Sequence, residues 1–344
     1  VTALAKALGI LLVALLVIAV AGLWHFDRFL DAPLSVPEDG TRFEIAPGSP
    51  FNRVSQQLAE EGIISNPTLL RLYARFSGQA GSVHAGEYFI APGTTPAELL
   101  RQFTSGDVLM YSFTLVEGWN HWELLQALRT HPQIDAGLSA DDWPAFLEEL
   151  GADTSHPEGL FLPETYHFPR NTSDRTVLKQ AYKLMQALLN EEWPNRDENS
   201  PVSTPYEALI LASIVEKETA RADERNRIAG VFARRLAKSM RLQTDPTVIY
   251  GIGPEFNGNL TRRDLTTDTP YNTYTRRGLP PTPIAMPGRD AIRAALHPAP
   301  GDELYFVATG LGDGSHKFSA TKAEHDAAVA EYLRRLRSNR QKGM

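Results

Sequence analysis

The chain has 344 residues, 42% of them hydrophobic and 22% charged, which is enough apolar material for a sizeable core and enough length for two or three domains. Its formal net charge of -7 gives no general attraction for phosphate polymers and argues against nucleic-acid binding. With no cysteine, disulfides, thiolate chemistry and Cys-ligated zinc are excluded.

Residues 7–24 are uncharged, preceded by Lys6 and followed by His25, Asp27 and Arg28. A helix rising about 1.5 Å per residue would span roughly 27 Å here, just enough for the hydrocarbon layer. The segment 1–26 is therefore expected to be a single-pass anchor in the cytoplasmic (inner) membrane. Ala19-Val20-Ala21 leaves a cleaved signal peptide as the alternative, and either reading exports the rest. Lys6 on the retained side places the bulk of the chain on the periplasmic or external side. Residues 31–40, rich in Pro, Asp and Ser, read as the centre of a linker over 27–41.

The folded part is expected from Arg42. A strand at 43–46 meets Pro47-Gly48, then Ser49 as N-cap and Pro50 at the first helical position, with Phe51, Val54 and Leu58 at helical spacing up to Gly62. A second helix from Asn66-Pro67 carries Leu69, Leu70, Leu72, Tyr73 and Phe76, and a second strand follows at 87–91. The turn at Ile45 to Pro50 (IAPGSP) recurs at Ile90 to Pro96 (IAPGTTP), and more weakly at 113–118 (FTLVEG). The strand-helix-helix-strand order over 42–112 resembles a LysM module, a fold associated with N-acetylglucosamine polymers.

Beyond a connecting region at 113–155, the pattern predicts an α+β catalytic domain closing the span 113–344. It comprises a loop at 156–170, helices at about 173–192, 206–222 and 223–240, short strands and loops over 241–287, a helix at 289–296, a hairpin (LYFVAT, then HKFS) and a closing helix from Thr321. In the helix holding Glu216, Lys217 and Glu218, Leu211, Ile214 and Val215 lie on the face that Glu218 continues, at about 100° per residue. A carboxyl there should be desolvated and its pKa raised, as a general acid requires. Glu216 lies about 160° around the helix, toward solvent or a structural partner; a merely solvated helix end is the bland alternative for both.

VEKETA (215–220), RLQTDPTVIYG (241–251), YNTY (271–274), GLPPTPIAMPG (278–288), HP (297–298) and the preceding EGLFLPETY (158–166) follow one another in order. Together they resemble the successive motifs of the MltG (YceG-like) endolytic murein transglycosylase family, over essentially the whole exported chain. The resemblance implies an endolytic peptidoglycan lytic transglycosylase with Glu218 catalytic and with no metal or cofactor. It implies glycan strands as substrate and peptidoglycan synthases of the penicillin-binding type as protein partners. Gln243, Thr244 and Asp245 are candidates to bind sugar or orient Glu218, although Asp245 before Pro246 equally suits a turn cap. Tyr271, Asn272 and Tyr274 offer stacking, amide and hydroxyl groups, or satisfied core tyrosines. Glu164 is a second cleft carboxylate or a salt-bridge partner. Two other readings stay open: a muramidase-type hydrolase using Asp245 or Glu164, and a non-catalytic anchored peptidoglycan-binding protein. Ser319-Ala-Thr-Lys322 matches S-x-x-K but lacks its companion motifs, and Gly310 to Gly314 is a turn rather than a phosphate loop.

Overall fold

The computed structural model describes residues 2–198 and 200–341. The chain divides into two compact units: Val1–Tyr111 with His167–Asn171, and Ser112–Tyr166 with Thr172–Met344.

In the first unit, helix α1 (Thr2–Asp31) is, among the described residues, the one helix long and apolar enough to cross a membrane. It continues past the uncharged stretch, and Phe29 near its end packs against the core of the unit. The expected linker is consequently short. Leu34 is buried in that core, its N–H donating to Thr94 O at 2.8 Å, and Ser35 N donates to Ile63 O at 3.1 Å.

Strand β1 (Thr41–Ile45), helices α2 (Phe51–Glu60) and α3 (Pro67–Phe76), and strand β2 (Gly86–Ile90) follow in the expected βααβ order. The strands pair antiparallel, Phe43 opposite Tyr88, and the core closes with Leu58, Leu70 and two residues of α4 (Pro96–Ser105), Leu99 and Phe103. The three helix starts differ in their chemistry. Asn66 caps α3 by accepting from Thr68 and Leu69, and Thr95 with Glu98 forms a capping box on α4. Ser49 caps nothing: Pro50, in extended backbone with φ -68 and ψ 146, is itself the cap position of α2.

Strand β3 (Met110–Thr114) leads to α5 (His121–Thr130), β4 (Ile134–Asp135) and α6 (Trp143–Glu149). Next come β5 (Thr165–Pro169), which pairs with β3, and β6 (Thr172–Ser173), which pairs parallel with β4. Glu158, at the head of EGLFLPETY, is fully buried and braces the start of α5, accepting from His121 N at 3.1 Å and facing its Nδ1 at 2.6 Å. At Gly159, φ is +77 and a Cβ would meet Pro283 at 2.6 Å, so this motif lies directly on the proline loop 278–288.

The second unit is organised around α8 (Pro205–Glu218), which follows α7 (Asp174–Glu192). Every residue from Ala208 to Val215 is buried, so α8 is apolar all round, a core helix rather than an amphipathic one. Against it pack α9 (Arg225–Ala237), α10 (Asp245–Ile252) and, most extensively, α12 (Arg289–Leu296), which follows the short α11 (Arg262–Thr266). The hairpin of β7 (Tyr305–Ala308) and β8 (His316–Ser319) and the closing helix α13 (Lys322–Gln341) complete it.

Three expectations change here. The first helix ends at Glu218 and the next begins only at Arg225, leaving 219–224 as a connection. The region 241–287 holds no strand among the described residues; it folds as α10, α11 and loops because Asp245-Pro246 opens a helix, proline needing no N–H partner in the first turn. The burial of Glu218 does not come from one apolar stripe, since α8 has no polar side until its last turn.

Candidate active site

Helix α8 begins with Thr204, whose side chain accepts from Glu207 N at 3.1 Å, and ends on Glu218, with Thr219 in extended backbone at φ -148. The end of the helix thus delivers Glu218 to the surface of the buried bundle, into a cleft of about 440 Å³. That cleft is lined by Gln243, Asp245, Tyr274, Arg235, Tyr305 and His325, among others. Glu218 also lines a second recess of about 470 Å³, with Val116, Glu117, Lys217 and Arg225. Glu218 is thus common to the linings of both hollows. A larger recess of about 810 Å³ around the start of α8 has Glu198 and Glu207 as its carboxylates, and Glu207 is used in accepting from Ser203 N at 2.6 Å.

Thr244 donates its hydroxyl to Glu218 Oε1. Thr244 is 2% exposed and its position is set by a threonine network: its N–H donates to Thr273 Oγ1 at 3.1 Å, Thr273 Oγ1 lies 2.9 Å from Thr247 Oγ1, and Thr247 donates to Thr244 O at 2.8 Å. Burial pushes the Glu218 carboxyl up to about 7, and the neighbouring Asp245 charge adds to the rise. The Thr244 bond, His316 and Arg235 pull the other way.

Asp245 opens α10 and accepts from Tyr274 OH at 2.5 Å, which ties two candidates together beside Glu218. Gln243 lines the same cleft with φ 54, a left-handed backbone for a non-glycine residue. Such a conformation costs of order 1–3 kcal/mol and persists where the surroundings dictate it; here Gln243 N donates to Thr273 O at 3.2 Å.

The remaining candidates lie elsewhere. Asn272 is fully buried, donating to Asp264 O and Thr267 O at 3.0 and 2.7 Å and accepting from Tyr274 N at 2.9 Å; it shapes the loop that carries Tyr274. Tyr271 places its hydroxyl 2.9 Å from Thr282 Oγ1 and its ring against Tyr250, away from the residues lining the cleft. Glu164 is exposed, accepts from Thr165 N at 3.0 Å and lines neither hollow.

Glu216 has a structural partner: it accepts from Gly288 N at 2.9 Å and lies 3.8 Å from Arg225. Burial raises its pKa as well, partly offset by the Gly288 bond. A Cβ at Gly288 would meet Glu117 Oε1 at 1.9 Å, so any larger residue there would displace the half-exposed Glu117 side chain. Lys217 Nζ donates to Gly118 O at 3.1 Å, so the end of α8 is stitched to segments 117–118 and 288 on this side.

Two contributors escaped the sequence reading. Arg235 is buried under Tyr305 and donates to Leu304 O at 2.6 Å, Leu242 O at 2.7 Å and Arg241 O at 3.2 Å, pinning both cleft walls to α9. His316 faces Glu224 Oε2 through Nδ1 at 2.7 Å while its N–H donates to Glu224 Oε1 at 3.0 Å. Neither belongs to a short motif; a cation on an otherwise apolar helix face and a histidine inside a hairpin were the available signals.

A comparison with family models matches the YceG-like family over residues 43–331. The chain is 30% identical to the endolytic murein transglycosylase of Bacillus subtilis over 91% of each chain. It is 25% identical to that of Streptococcus pneumoniae strain D39 over 94% of this chain and 64% of the relative. Among solved structures, a YceG-like protein from Listeria monocytogenes superposes with a TM-score of 0.55 at 28% identity, covering 85% of this chain and 99% of that one. Since the match runs from within β1 to the middle of α13, including all the residues around Glu218, the chain belongs to the YceG-like family.

Proposed function

We propose that the chain is an endolytic peptidoglycan lytic transglycosylase in which Glu218 serves first as acid and then as base. The observation that carries this is the Glu218 carboxyl, raised to about 7, at the end of a core helix and in the linings of two hollows. A group titrating near neutrality is matched to both donating and recovering a proton. Its relatives bear the name endolytic murein transglycosylase.

In this reaction protonated Glu218 gives its proton to the glycosidic oxygen between N-acetylmuramic acid and N-acetylglucosamine, and the C1–O bond breaks. The C6 hydroxyl of the muramoyl residue attacks C1 and returns its proton to the Glu218 carboxylate, leaving a 1,6-anhydro end without consuming water. Thr244 occupies Oε1 and leaves Oε2 to carry the proton. Arg235 and His316 favour the carboxylate that forms midway. A hydrolase would require a second free carboxylate, about 5.5 Å away for retention or 6.5–9.5 Å for inversion. Glu164 lies outside the cleft, whereas Asp245 lines it with its Oδ1 accepting from Tyr274; what favours the lytic reaction over hydrolysis is the name the relatives bear.

We read α1 as the single-pass anchor with the remainder on the periplasmic or external side, and the βααβ unit as LysM-like. A peptidoglycan synthase, which produces the uncut strand, is the protein partner consistent with this chemistry. Digestion of purified sacculi followed by mass spectrometry tests the reaction. New ends lighter by one water than hydrolytic products are expected; reducing muramoyl ends as the main product would place the chain among hydrolases.

A further inference from the structure

Helix α3 has two apolar sides. Leu70 and Ala74 enter the core of the first unit, whereas Phe76 is 79% exposed and Leu72 41% exposed, one turn apart on one face. An isolated exposed apolar side chain needs no explanation, but two stacked on a helix beside a membrane-type segment do. The ring of Tyr73 packs on Phe26 of α1, centroids 6.4 Å apart. Phe26 lies two residues beyond Trp24, where the uncharged stretch ends, and Phe29 is already packed against the core. At about 1.5 Å per residue, Trp24 and Phe29 are separated by roughly 8 Å along a continuous helix. That is about the depth of one headgroup layer, from the difference between hydrocarbon and whole-bilayer thickness. Charge agrees: residues 65–86 contain Arg71, Arg75 and His84 and no carboxylate, in a chain of net charge -7.

We propose that the Leu72–Phe76 face of α3 rests in the headgroup layer of the membrane that α1 crosses, with Arg71 and Arg75 meeting anionic lipid. This rests on the anchor reading of α1. Leu72 and Phe76 enter the boundary between headgroups and acyl chains, as the apolar face of an interfacial helix does, and the first unit is held against the bilayer at two places instead of one.

The absence of cysteine makes the test direct. The full chain carrying Phe76→Cys, and separately Leu16→Cys within α1, is labelled with a nitroxide and reconstituted in vesicles of phosphatidylcholine and phosphatidylglycerol. Collision with oxygen, which partitions into lipid, is compared with collision with a water-soluble nickel chelate. For both labels the oxygen-to-nickel ratio is expected to exceed that of a nitroxide free in buffer severalfold, with Leu16→Cys the deeper. A deep label at 16 with a buffer-like ratio at 76 overturns the proposal and leaves the anchor standing. A buffer-like ratio at 16 overturns both. Low collision with either reagent at 76, with dipolar broadening between labels, assigns the face to a second copy of the chain and also overturns the proposal.

Discussion

Thr244 donates to Glu218 Oε1 from a side chain that is 2% exposed and held by Thr273 and Thr247, so the acid and its hydrogen-bond donor form a fixed pair across two segments 26 residues apart. The bond stabilises the carboxylate and so lowers the Glu218 pKa against the larger effect of burial. Thr244→Val keeps the shape and removes the donor. The Glu218 pKa should then rise, and because the reaction starts from the protonated form, the alkaline limb of the cleavage profile should move to higher pH. A profile of glycan cleavage against pH for the two proteins checks this, together with a stability loss of about 1 kcal/mol from the missing bond.

The raised pKa of Glu218 also predicts a pH-dependent stability. An unfolded carboxyl titrates at 4.5 and the folded one at about 7, so the folded state binds the proton more tightly. The favourable effect of that proton is fully present below 4.5 and is lost as pH rises through 7; above it, a desolvated carboxylate destabilises the fold. The shift corresponds to about 3 kcal/mol as an order of magnitude. Glu218→Gln should therefore melt at a higher temperature than the unmodified protein at pH 8 and at nearly the same temperature at pH 4. Equal melting differences at both pH values would contradict the account of a desolvated acid.

Arg235 donates to three backbone carbonyls, of Leu304, Leu242 and Arg241, that belong to opposite walls of the cleft. Arg235→Met retains much of the aliphatic stem but leaves these carbonyls without their donor. A loss of about 1–3 kcal/mol is expected, the cost of leaving one buried acceptor, the Leu242 carbonyl, without its donor, while water can reach the other two. Chemical denaturation measures it, and cleavage should fall even at temperatures where the variant remains folded, because the loop carrying Thr244 is released.

Most of the helices were legible in the sequence because caps and spacing mark them: Asn66, Thr95, Ser173 and Thr204 all stand where helices begin. The stretch 241–287 was not, because a helix as short as α10 has barely two turns in which to display a period, and its Thr, Val and Ile read equally well as strand. At the site, Glu218, Thr244, Asp245, Gln243 and Tyr274 come together, and each stands in a motif quoted from the sequence. Tyr271 and Asn272, neighbours of Tyr274 in the same motif, do not, because a turn bracketed by the Asn272 side chain sends adjacent residues different ways. The apolar stripe seen on the helical wheel is only part of the reason Glu218 is desolvated: α8 is apolar on all sides up to its last turn, and Thr244 closes on the carboxyl from another segment. Arg235 was invisible for the opposite reason, as its partners are backbone carbonyls, which sequence does not advertise.

The central claim is that Glu218, and not Glu216, carries the proton. Glu216 is held by Gly288 N and sits near Arg225, Glu117 and Asp290, so Glu216→Gln should weaken a structural tie and reduce cleavage only modestly. Glu218→Gln preserves size and hydrogen bonding but has no proton to transfer, and general acid-base catalysis alone is worth about 10²–10⁴-fold. The decisive measurement is the rate of glycan-strand cleavage by the two folded variants side by side. A fall of about 10²-fold or more for Glu218→Gln with a far smaller one for Glu216→Gln is the predicted result; near-unmodified activity in folded Glu218→Gln would contradict it.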